Sequence, residues 1–179
     1  MNNFTHLHVH SEYSILDSIG KSKDIVSTAK AKGFKSIAIT DHGNINAWIK
    51  FYIECQNQGN EIKPIYGIEA YLDPYNEGEV EKRKNYHITL LAKDLEGWHN
   101  ILKLNNIAQR EHFYYKPRIN IELLNKYSKG IICLSGCPGG CISENIYKDN
   151  DIYITYAKTL KEIFAKPFSP DTSVAFIKT

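Results

Sequence analysis

Three histidines alternate with two apolar residues near the start of the chain, as His6-Leu7-His8-Val9-His10. An alternation of period two is the mark of an extended strand. It puts all three imidazoles on one face of a predicted strand over Phe4–His10, with Leu7 and Val9 on the other. Same-face positions lie about 6.5–7 Å apart along the backbone, so two such side chains can converge on one cation. Imidazole suits zinc, manganese or iron. The competing reading is a polar strand face at the surface, and three imidazoles beside an apolar face weigh for ligation.

The rest of the chain alternates strand and helix signals, which predicts βα units and a mainly parallel sheet. Ser22 is a plausible N-cap for a helix carrying Ile25, Val26 and Ala29, and Gly33 suits its stop. Ser36–Thr40 reads as a short buried strand. A helix over about Asn46–Gln58 carries Trp48, Phe51, Tyr52 and Cys55 at helical spacing and stops at Gly59. Strands follow at Ile65–Leu72, Ile88–Ala92 and Ile131–Leu134, with helices over about Asp94–Gln109 and Asp151–Phe164. Asp73–Asn85, charged and holding Pro74 and Gly78, reads as a surface loop. Residues 1–165 are expected to form one α/β domain. Residues 166–179 read as an irregular tail with at most a short strand near Val174–Ile177, as if the chain stopped before its fold was complete.

Further candidate ligands sit where an α/β fold places its sites, at or just after strand ends. Asp41 and His42 follow Ser36–Thr40, and Gly43 allows a tight turn. Glu69 stands between Ile68 and Ala70 in a strand, and a buried carboxylate there needs a partner such as a metal. Cys137 lies in the turn after Ile131–Leu134 and would ligate as a thiolate. Asp17 follows the first strand. His87 begins a strand rather than ending one, which does not fit the pattern.

Bulk properties narrow the class. A hydrophobic content of 42% with 23% charged residues is that of a globular chain, and a formal net charge of +2 gives no global field for nucleic acid. The N-terminus has no secretory pattern and no apolar run approaches a membrane span, so cytoplasmic location and reduced thiols are expected for Cys55, Cys133, Cys137 and Cys141. Cys133, Cys137 and Cys141 lack the close pairs of a zinc finger. The aromatic and basic run His112–Arg118 suggests phosphate or single-stranded DNA contact through Lys116 and Arg118, with a solvated basic loop as the alternative.

These motifs together resemble a known family. His8-x-His10, Ser11-Glu12-Tyr13-Ser14 with Asp17, Thr40-Asp41-His42-Gly43-Asn44, Gly67-Ile68-Glu69-Ala70-Tyr71 and His87 with Leu90-Leu91-Ala92-Lys93 are similar to a PHP (polymerase and histidinol phosphatase) domain. Phe113–Ile119 and Leu134-Ser135-Gly136-Cys137 resemble, more narrowly, the N-terminal PHP domains of bacterial DNA polymerase III alpha subunits. The resemblance covers about Phe4 to Phe164.

It implies a distorted (β/α)7 barrel, here expected to be truncated before its last strands, holding up to three divalent metals (Zn, Mn, Fe or Mg). Carried over by position, His8, His10 and Glu69 would bind one metal. Glu69, His87 and Cys137 would bind a second, and Asp17 with His42 a third. No catalytic side chain beyond the ligands is implied. The chemistry is phosphodiester hydrolysis, in which divalent cations lower the pKa of water and neutralise phosphate charge. In some members this is 3′–5′ exonuclease proofreading. In others the domain is a scaffold that docks a separate proofreading exonuclease. DNA would be met in the context of a full polymerase.

One departure matters. The family completes its site with a later Asp-x-His pair, and no histidine follows His112 here. That removes one expected ligand from the first metal and one from the third. A free-standing monoesterase of the histidinol phosphatase type is the remaining alternative, and Tyr114–Arg118 weighs against it. An incomplete barrel would leave an open sheet edge and favour self-association.

Overall fold

The computed structural model describes residues 4–73, 85–146 and 152–165. Most of the expected loop Asp73–Asn85 and all of the tail 166–179 lie outside the described residues. The chain divides into two compact units, one ending at Glu69 and the other beginning at Ala70. No helix among the described residues is long and apolar enough to cross a membrane.

In the first unit, α1 (Ser22–Ala31), β1 (Ser36–Ile39) and α2 (Trp48–Asn57) lead into β2 (Lys63–Asp73), whose first residues run parallel to β1 from Ser36↔Lys63 to Ile39↔Tyr66. Both helices stop where glycine predicts. Gly33 and Gly59 take φ of 75° and 74°. The following amides reach back across each helix end, Phe34 N donating to Ala29 O and Asn60 N to Cys55 O. Ser22 is not the cap that the sequence suggested: Lys21 holds that position without a side-chain hydrogen bond, and Ser22 is buried in the first turn. Val26, Ala29, Ile37, Ile39, Trp48, Phe51 and Ile62 form the core of this unit. Burial of a side chain the size of Phe51 is worth about 1.5–3 kcal/mol.

Phe4–His10 is extended but is not a regular strand. Ala38 N donates to His6 O and Thr40 N to Val9 O. β1 thus advances two residues while its neighbour advances three. The extra residue breaks the ladder and the period of two. Thr40 fills the gap with its hydroxyl, which accepts from Val9 N at 2.9 Å.

The second unit holds the end of β2 and then β3 (Tyr86–Ala92), α3 (Leu95–Arg110), β4 (Phe113–Tyr114), β5 (Lys116–Asn120), α4 (Ile121–Lys126), β6 (Ile131–Leu134), α5 (Cys141–Ile146) and α6 (Ile152–Phe164). The strand order is β4-β5-β2-β3-β6. The fold is therefore mixed α/β, and no closed barrel is formed by the described strands. The pairings are of both kinds: β2 runs parallel to β1 and to β5, whereas β3 and β6 run antiparallel, as do β4 and β5. Asp94 caps α3 by accepting from Gly97 N at 2.8 Å. Ile101, Leu104 and Ala108 of α3 are buried, and the helix packs on β3 and β5. A Cβ on Gly97 would come within 1.7 Å of Gly130 O, so only glycine allows that approach.

Candidate metal centre

The parallel register of β1 and β2 continues past the end of β1 and sets His42 beside Glu69. Glu69 N donates to Asp41 O at 3.1 Å, and Gly43 N, in a residue with φ of 59°, donates to Glu69 O at 2.8 Å. Two histidines from the extended N-terminal segment join them. Around Glu69 Oε2 lie His8 Nε2 at 3.3 Å, His10 Nε2 at 3.2 Å and His42 Nδ1 at 2.8 Å. The Glu69 side chain is 1% exposed. Removing such a charge from water costs several kcal/mol unless cationic or hydrogen-bonding partners compensate.

Asp17 adds a second carboxylate. Its Oδ2 lies 2.6 Å from His42 Nε2, and its side chain is 57% exposed. His10 and His42 stack with ring centroids 4.3 Å apart. Ligand atoms of His8, His10 and Glu69 fall within 4.8 Å of one another, as do those of His10, Asp17 and His42. Five of the candidate ligands expected from the sequence, His8, His10, Asp17, His42 and Glu69, thus meet in one unit. His42 is raised above its ordinary pKa, chiefly by the hydrogen bond to Glu69, with burial opposing and Asp17 adding to the rise. The same pair holds Asp17 below the usual carboxylate range, first through the hydrogen bond from His42.

A network that sequence reading missed holds this arrangement. The Asp41 carboxylate, 1% exposed, accepts from Ser11 N, Ser11 Oγ and Ser14 Oγ, each at 2.7 Å. Asp41 therefore ties the Ser11–Ser18 loop to the end of β1. The signal was present: a carboxylate directly after a buried strand needs partners, and two serines stand in the loop before α1. His6 is set apart from His8 and His10. Its ring packs edge-on against Phe4 and Phe34 at 4.7 and 5.2 Å.

In the second unit, His87 and Cys137 meet. Cys137 Sγ lies 3.4 Å from His87 Nδ1. The antiparallel pairing of β3 with β6 explains the awkward position of His87, because it sets the start of β3 beside the end of β6, where the Cys137 turn follows. His87 N donates to Gly139 O at 3.0 Å. Gly136 permits the approach: its φ is 90° and a Cβ there would come within 2.5 Å of His87 O. Cys133, Cys137 and Cys141 form no three-ligand group among the described residues. Cys133 and Cys141 are buried, and burial pushes the Cys141 thiol up to about 11 and Cys133 higher still.

Lys116 and Arg118 lie on β5 rather than in a loop. Arg118 Nη1 pairs with Asp73 Oδ2 at 2.8 Å, and the Lys116 ammonium sits 5.2 Å from the Tyr71 ring centroid. Lys116 is exposed, and so are the hairpin's aromatic residues: Phe113, Tyr114 and Tyr115 are 58%, 44% and 81% exposed.

The model of the PHP domain matches residues 6–168 of this sequence. The chain belongs to the PHP family. Curated relatives of this PHP chain include DNA polymerase III subunit alpha of Borreliella burgdorferi, 49% identical over 143 residues that cover 78% of this chain and 12% of the relative. The Helicobacter pylori (strain 26695) subunit is 43% identical over 149 residues, covering 83% of this chain and 12% of its own. The Aquifex aeolicus subunit is 39% identical over 174 residues, covering 90% and 15%. The chain thus spans about an eighth of the length of the relatives that it matches. Among solved structures, an amidohydrolase from Chromobacterium violaceum is 14% identical over 97% of this chain and 58% of its own, at a TM-score of 0.40.

The PHP side chains fit divalent cations on the chemistry of their donors. Imidazole nitrogens around a buried carboxylate oxygen, with a second carboxylate one imidazole away, form a mixed N/O set suited to zinc, manganese or iron.

Proposed function

We propose that this PHP domain hydrolyses phosphodiester bonds with divalent metals, and that in a DNA polymerase III alpha subunit it acts as a 3′–5′ exonuclease during replication. The observation that carries the reading is the convergence of His8, His10 and His42 on the buried Glu69 carboxylate, with Asp17 at the far nitrogen of His42. Likeness to the polymerase subunits supplies the setting, with DNA as substrate and the cytoplasm as location. A distorted PHP-type barrel belongs to the same reading.

When bound, divalent cations would activate water and neutralise charge on the phosphate. His8, His10 and Glu69 would hold one, and Asp17 with His42 would help to hold another. We carry the family's remaining ligand roles onto His87 and Cys137. Asp41 and the serines keep the loop that bears Asp17 against β1. Lys116 and Arg118 are assigned to the phosphate backbone of DNA, with Arg118 already oriented by Asp73.

The test is a substrate panel on the metal-loaded chain: an aryl phosphodiester, an aryl phosphomonoester, and single-stranded DNA labelled at its 5′ end. Diester hydrolysis and shortening from the 3′ end, both lost in Glu69→Gln, support the reading. Hydrolysis of the monoester alone would replace it with a phosphatase of the histidinol type.

A second reading is an inactive scaffold that docks a proofreading exonuclease. It is favoured by Ile15, Leu16 and Ile19, which stand 81%, 102% and 95% exposed in the loop around Asp17. A chain that binds an isolated exonuclease subunit but cleaves nothing would establish it.

A further inference from the structure

We propose that Ser14, oriented by the buried carboxylate of Asp41, fixes the tautomer of His10 and makes Nε2 the nitrogen that His10 offers to a metal ion. Ser14 is thereby a positioning residue. Its value to a metal rests on the metal-centre reading above, whereas the tautomer follows from hydrogen bonding alone.

A serine hydroxyl has one hydrogen to give and can accept twice. Ser14 Oγ has three neighbours: Asp41 Oδ1 at 2.7 Å, the His42 amide nitrogen at 3.1 Å and His10 Nδ1 at 3.1 Å. A carboxylate only accepts, so the Ser14 hydrogen goes to Asp41. An amide only donates, so one lone pair of Ser14 takes the His42 N–H. What remains for His10 is the second lone pair. His10 Nδ1 must therefore carry the hydrogen, and in the neutral ring Nε2 is bare.

The orientation of Asp41 leaves little room for the opposite assignment. Oδ1 also accepts from the Ser11 amide and Oδ2 from the Ser11 hydroxyl, and both Asp41 and Ser14 are 1% exposed. Nothing in this network can turn the Ser14 hydrogen toward His10 without setting two acceptors against each other.

The consequence appears at the other end of the ring. His10 Nε2 lies 3.2 Å from Glu69 Oε2. With Nδ1 carrying the hydrogen, a lone pair faces a carboxylate lone pair, and a shared cation relieves that opposition. A groove of hydrogen-bonded histidines would place an N–H there. Through Ser14, Asp41 selects a ligand over a hydrogen-bond donor, as partners of ligating histidines do.

The test reads the tautomer directly. Long-range proton–nitrogen NMR correlations of the metal-free 179-residue chain, recorded at about pH 8 where a histidine is ordinarily neutral, distinguish the two ring nitrogens of His10. The expected result is Nδ1–H in the native chain. In Ser14→Ala the ring should shift to Nε2–H, donating to Glu69, and titrated Zn²⁺ should bind about 10- to 100-fold more weakly. Native His10 with Nε2–H would overturn the proposal. So would Ser14→Ala with Nδ1–H retained, even if zinc binding fell, since that loss would be structural. Native Nδ1–H without any zinc binding would leave the tautomer relay standing and remove the metal-centre reading instead.

Discussion

His42 Nδ1 lies 2.8 Å from the buried Oε2 of Glu69. Its other nitrogen faces Asp17, so this imidazole has a carboxylate at each end. In the metal-free chain that arrangement favours the protonated ring. A metal requires the opposite, because ligation needs a bare nitrogen.

A pH dependence follows. The pKa of His42 is raised in the folded chain above its ordinary 6.5. The protonated ring therefore stabilises the metal-free fold fully below 6.5, and that contribution is lost as pH rises through the raised value. Thermal unfolding of the metal-free chain should show Tm falling from 6.5 upward, and His42→Gln should flatten the fall. Zinc affinity should rise over the same window as the proton is released. A Tm that rises across that window in metal-free protein would contradict the assignment.

Glu69 is the centre of the site, and its neutral isostere separates charge from shape. Glu69→Gln should abolish stoichiometric metal binding. It should also destabilise the metal-free fold by about 1–3 kcal/mol, because His42 loses its buried counter-charge. Denaturant unfolding and equilibrium dialysis read the two effects separately.

The cysteines should divide by burial. Cys55, Cys133 and Cys141 are buried, and burial pushes the Cys55 and Cys141 thiols each up to about 11. Cys137 is partly exposed beside His87. Brief alkylation of the native chain near pH 8, followed by peptide mass spectrometry, should mark Cys137 first and the other three only after denaturation. Added zinc should slow Cys137 if it is a ligand.

Gly136→Ala should loosen the second cluster. The residue would be strained at φ of 90° and its Cβ would press on His87 O at 2.5 Å. A loss of about 1–3 kcal/mol is expected, as for other over-packed sites, with the His87 ring resonances broadened or shifted in NMR spectra. Unchanged stability would mean that the turn has room the geometry denies it.

Much of this was legible in the chain. His8, His10, His42 and Glu69 could be read because strand ends and a buried carboxylate announce themselves locally. Gly33 and Gly59 marked their helix ends for the same reason. His87 resisted, since the antiparallel partnership of β3 with β6 is a long-range choice that no local period encodes. Phe4–His10 misled in the opposite way: its alternation promised a regular strand, and an extra residue against β1 broke it. The β4–β5 hairpin and the short helices α4 and α5 were missed because elements of two to six residues carry too few positions to show a period. Ser11, Ser14 and Asp41 act through a network, and a network is visible only once the fold has brought its members together.

The central claim is that His8, His10 and Glu69 hold a metal ion. Elemental mass spectrometry of the purified chain, beside a His8→Ala/Glu69→Ala double variant, tests it most directly. The account predicts at least about one equivalent of bound transition metal in the native chain and none in the variant, in keeping with the N/O donor set. Native protein reloaded with zinc or manganese and still metal-free after dialysis would contradict it.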